Sequence, residues 1–187
     1  REPGGEAARR SCSASAPARR LALQLGDHRV EVGGRSFVHG WWREGMNTQT
    51  VLIGVDAVGE PLIVPLPLRP GDPLAIGADA QGIVVVSVPR HGTGVMVRVV
   101  VDGAVKVGAA MAVPEIGWGW PRAIAVKGSR ALVSHTLATP QQGLGEEVIY
   151  TVDLEAGRVL ASLKTGAQTQ CAAGACTALA SCAAIHA

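Results

Sequence analysis

From Leu21 to Gly166 the chain is written in short runs of alternating apolar and polar residues, broken every five to nine positions by Gly, Pro or Asp. A period of two with β-branched residues favours half-buried strands, and a helical period is nearly absent, so the region reads as all-β. The last stretch is the most legible. AIAV (123–126), a Lys-Gly-Ser turn, ALVSHT (131–136), a long polar loop, EVIYTVD (147–153), a Glu-Ala-Gly turn and RVLASL (158–163) predict four strands in succession.

The same order recurs upstream. Arg29–Val32, Ser36–Trp42, Thr50–Val55 and Pro61–Leu66 form a first set, and Leu74–Ala78, Ile83–Val88, Val95–Val101 and Ala104–Ala109 a second. Val-Asp pairs close the third strand at Asp56, Asp102 and Asp153, 46 and 51 residues apart. Pro73-Leu-Ala-Ile against Pro121-Arg-Ala-Ile gives 48, and Phe37–His39 against Val84–Val86 and Leu132–Ser134 gives 47 and 48. Four short antiparallel strands in a repeat of about 48 residues predict β-propeller-like blades. Val suits the buried pleat and Asp can bond the backbone of the turn after it, which gives the Val-Asp pairs a structural role.

Three units span about 21–72, 73–120 and 121–166, between an Arg/Ala/Ser-rich leader (1–20) and an Ala/Cys-rich tail (167–187). A propeller ring usually needs four to eight blades, so the expectation is an incomplete ring, completed by the remaining blades of a longer parent chain. The leader, without an initiator Met or an apolar core, is expected to lack structure.

PRAIAVKGSRALVSHT followed by VIYTVDLEAGRVLASLKTG resembles the bacterial propeller repeat of the YVTN or surface-layer type. Val133-Ser134-His135 stands where that family has Val-Thr-Asn, and the likeness weakens from the third unit to the first. The resemblance implies a propeller fold and an exported protein, periplasmic or extracellular, acting as a binding or scaffolding module. It also implies an alternative, part of a lactonase-like or haem-partnered propeller enzyme.

Composition narrows the partners. Hydrophobic residues are 48% and charged residues 17%, enough apolar surface for a core, while the longest apolar run, Ile83–Val88, is far too short for a transmembrane segment. The net charge of +2 comes from the leader, where five Arg face Glu2 and Glu6; the rest of the chain sums to −1, which leaves no basic face for nucleic acid. Arg outnumbers Lys 14 to 3.

Chemistry-bearing residues are few. All four tryptophans fall in two places, Trp41 with Trp42 at a strand end and Trp118 with Trp120 in a connection, where they either fill gaps between blades or form a platform for a carbohydrate or protein ligand. His39, Ser87 and His135 are spaced by 48, and equivalent places in successive blades would start a ring of ligands; counted from Arg35 and Arg130, however, His39 matches Ser134. Cys171, Cys176, Cys182 and His186 have the spacing of a loose three-thiolate, one-imidazole zinc site, with an Ala-rich helix or a structureless tail as the alternative. With Cys12, the four cysteines also allow three disulfide pairings. No phosphate loop, nucleophile elbow, paired carboxylates or CxxCH motif is present, so no catalytic residue or cofactor is assigned. Asp27, Asp79 and the two histidines are the candidates for the enzyme alternative.

Overall fold

The computed structural model describes residues 22–44, 46–55, 58–90, 92–138, 144–172 and 175–178. Strands dominate them, in three antiparallel sheets, each made from one continuous stretch of chain. The first sheet holds β1 (Ala22–Val32), β2 (Arg35–Glu44), β3 (Asn47–Val55) and β4 (Pro61–Pro65) in sequence order. β5 (Leu74–Asp79), β6 (Gly82–Ser87), β7 (Gly94–Asp102) and β8 (Ala104–Val107) make the second, with β9 (Met111–Val113) sharing the free edge of β7. β10 (Gly119–Lys127), β11 (Arg130–Ala138), β12 (Leu144–Asp153), β13 (Arg158–Ala172) and β14 (Ala175–Ala178) make the third.

Turn chemistry sets the hairpins. Gly33 and Gly34, with φ of 59° and 71°, supply the two left-handed residues of the β1–β2 turn, a conformation that matches the twist of the strands it joins. Asp153 accepts hydrogen bonds from the amides of Glu155 (2.9 Å) and Ala156 (3.0 Å) with Oδ1, which holds its carboxyl below the usual range and bears out the turn role expected of it. Asp56 lies outside the described residues. Asp79 does the same work at the β5–β6 turn, where Oδ1 accepts from Gln81 (2.8 Å) and Gly82 (3.2 Å), and its Oδ2 accepts from the Gly128 amide of the third sheet (3.1 Å).

The second sheet lies between the other two. Strand alternation turns Ile83, Val85, Val97 and Val99 to one side, where they pack with Val32, Phe37, Leu52 and Val64 of the first sheet. Val84, Val86 and Met96 point the other way and meet Ala131, Val133, Val148, Tyr150 and Val152 of the third. Two apolar layers therefore flank one sheet, and all six residues of β6 are buried, which is why its sequence is a continuous apolar run rather than an alternation. Full burial of each such Val or Ile contributes roughly 1.5–3 kcal/mol.

The structure differs from expectation at strand ends. β1 begins at Ala22 rather than Arg29, and it contains an irregularity between Leu25 and Arg29 that breaks the alternation. β13 runs on to Ala172 and returns as β14, in place of a helical or structureless tail after Gly166. Among the described residues no closed barrel or ring is formed; the three sheets stack with the first strands β1, β5 and β10 adjacent. Among the described residues no helix is long and apolar enough to cross a membrane.

Candidate functional site

Above the stacked sheets, chain segments from all three converge on one cleft of about 950 Å³. The irregular part of β1 supplies Asp27 and His28, and β2 supplies His39 and Trp41. The β4–β5 connection adds Arg69 and Asp72, the β6–β7 connection Arg90, the approach to β10 Trp118, and β10 itself Trp120.

Local sequence explains each placement. Pro70-Gly71, with Gly71 at φ 83°, turns the chain over the sheet end and buries Asp72 at 7% exposure. Trp118 and Trp120, two residues apart, keep their ring centroids 5.3 Å apart at 49°, each half-buried. Trp41 stands edge-on to His39 at 5.9 Å, and the His28 ring lies 5.6 Å from that of His39. Three of the four tryptophans thus share the cleft, whereas Trp42, the next residue along β2, belongs to the opposite face beside its β1 partner Leu23.

Several polar atoms of the lining are covered and have no hydrogen-bond partner: His39 Nδ1, Trp41 Nε1 and Asp72 Oδ2. A buried unbonded polar group costs about 1–3 kcal/mol, and three around one cleft form an incomplete set of one N–H donor, one carboxylate acceptor and one imidazole nitrogen. Burial pushes the His39 pKa down to about 4, aided by the neighbouring His28, while Asp27 and the His28 backbone oppose the shift. His28 is shifted down as well, chiefly by burial, with Asp27 opposing and Arg122 assisting. Both imidazoles are neutral at pH 7. Asp27 and Asp72 balance Arg69 and Arg90, so the charged lining sums to zero.

His135 is elsewhere. It is fully buried in the layer between the second and third sheets, 5.9 Å from the Tyr150 ring. Its pKa is lowered to about 4 by burial, against a small opposing effect of the Gly117 backbone, and neither ring nitrogen makes a well-formed hydrogen bond. From the hairpin turns, Ser87 and His135 are each the sixth residue of their strands and His39 the fifth. With a period of two, that offset turns His39 and His135 to opposite faces of their own sheets, so both face the middle sheet from opposite sides. A ring of ligands built on the two histidines does not form.

Cys171 and Cys176 are register partners across the β13–β14 hairpin, while Cys182 and His186 lie outside the described residues. Among the described residues no group of three His, Cys, Asp or Glu is placed to hold a metal ion. Sequence reasoning missed His28, Asp72, Arg69 and Arg90 at the cleft; the Arg-Pro-Gly-Asp-Pro turn that carries Arg69 and Asp72 was the available signal for those two. No family model matches this chain, and neither the curated proteins nor the solved structures contain a match for it.

Proposed function

We propose that the chain is a ligand-binding module of an exported bacterial protein, built from propeller-type blades, and that its ligand is a carbohydrate seated in the tryptophan-lined cleft. The observation that carries this reading is the meeting of Trp41, Trp118 and Trp120 with three unbonded polar atoms in one cleft of no net charge. A sugar offers both things such a lining lacks: C–H faces to lie against indole rings, and hydroxyls that donate to Asp72 and accept from Trp41. The unbonded atoms are covered, so engagement turns their side chains toward the ligand.

The propeller reading draws on the repeat of about 48 residues, on one four-stranded meander per repeat, and on the adjacency of β1, β5 and β10, which corresponds to inner strands around a common axis. Export rests on the resemblance to the YVTN or surface-layer repeat. The test is an array of neutral and acidic glycans, followed by titration of tryptophan fluorescence with any hit. Binding that falls at least tenfold in Trp118→Ala and in Asp72→Ala, but not in Trp42→Ala, is expected. An array without hits, or equal loss in Trp42→Ala, would sink the assignment.

A further inference from the structure

Each outer sheet turns one face toward the middle sheet and, among the described residues, leaves the other bare. On the first sheet the bare face carries Leu23, Leu25, Val55 and Ile63, exposed by 46%, 57%, 49% and 38%, with Trp42 beside Leu23 and Ile53 beside Ile63. On the third sheet, beside the charged row Lys127–Arg130–Asp153–Arg158, the bare face holds two uncharged cross-strand rows. One runs Ala123–Ser134–Ile149–Leu163 and the other Ala125–Leu132–Thr151–Ala161. Leu132 and Leu163 are 49% and 63% exposed. Exposed apolar patches of this kind, rimmed by Arg29 and Glu31 on the first sheet and by the charged row on the third, belong to contacts rather than to solvent.

The internal packing says which face fits which. The first sheet meets the second through its Phe37 side, and the second meets the third through the third's Val133 side. One step repeated twice relates the three sheets. A further identical step from the third sheet would bring up a sheet that presents the side left bare by the first. The two bare faces also complement each other in bulk, since the first projects Leu25 and Trp42 and the third offers rows rich in Ala, Ser and Thr.

We propose that two copies of this chain associate head to tail, the bare face of the first sheet of each on the bare face of the third sheet of the other. The pair has two identical contacts related by a twofold axis, and its six sheets fall within the four to eight with which propeller rings close. This inference needs only the face packing, and stands or falls independently of the carbohydrate reading.

Light scattering on the size-fractionated chain tests it, with a mass of about twice 19.2 kDa expected. Leu25→Glu blocks only the first-sheet face and Leu163→Glu only the third; each is more than half exposed, so folding should be kept, as circular dichroism can check. Either variant alone should be a monomer where the parent chain is paired. Mixing the two in equal amounts should restore pairs, because each retains the face that the other lacks. Leu23→Glu and Leu132→Glu repeat the test if either first variant misfolds. A parent chain that is monomeric at all concentrations, a Leu163→Glu variant that still pairs, or a mixture that stays monomeric overturns the proposal. Polymers of no fixed size would overturn closure.

Discussion

Both buried histidines lie over a glycine of the neighbouring first strand. A Cβ on Gly26 would come 2.6 Å from Cδ2 of His39, and one on Gly119 would come 2.6 Å from Nε2 of His135. The missing side chain is the space that the imidazole occupies. A sequence shows a histidine and a glycine some 13 to 16 residues apart but not that one fills the other's volume, so the histidines are legible as strand-end residues and their burial is not. Trp41 and Trp42 make the opposite case, since strand alternation alone separates them to two faces. Gly119→Ala should overpack the site and also crowd the Thr136 carbonyl, which lowers stability by about 1–3 kcal/mol. Urea unfolding with an unchanged slope would measure it; a neutral result would mean that the ring can move aside freely.

At the level of the elements, what could be read was whatever turn residues and alternation specify together. The hairpins at Gly33-Gly34, Lys127–Arg130 and Asp153–Arg158 follow from their turn sequences, and β6 from its unbroken apolar run. The start of β1 was missed because its irregular Gly-Asp-His segment destroys the period of two, and β14 because Ala and Cys carry little strand preference. β9 is three residues long, too short to show a period at all. Asp79 was weighed as a possible catalytic group, yet its oxygens close the β5–β6 turn and tie that turn to the β10–β11 turn. Asp79→Ala should remove both ties and cost about 1–2 kcal/mol. Hydrogen exchange should accelerate at the amides of Gly82 and Gly128 together. Acceleration at Gly82 alone would mean that the bond between sheets is not held in solution.

For the whole molecule, the repeat of about 48 residues anticipated three sheets of consecutive strands, because each repeat carries its own turns; how the sheets stack depends on side-chain faces that the period does not reveal. Stacking buries one histidine in or beside each apolar layer, and a pH dependence follows. Desolvation lowers His39 and His135 from 6.5 to about 4 in the folded chain, whereas in the unfolded chain they titrate near 6.5. Above pH 6.5 both are neutral in either state and the native fold carries no penalty from them. As pH falls from 6.5 toward 4 the unfolded chain takes up protons that the folded chain refuses, so stability declines, by at most roughly 3 kcal/mol for each histidine. Below pH 4 their contribution levels off. Denaturant midpoints measured between pH 7.5 and 4.5 should drop most steeply near pH 6 to 5, and His135→Leu, which leaves only Tyr150, silent in this range, as a titratable group in the layer between the second and third sheets, should remove one of the two larger contributions to the slope, His28 adding to that of His39. A midpoint constant across that range would mean that neither imidazole is held out of water, and the packing of Gly26 and Gly119 against them would have to be given up with it.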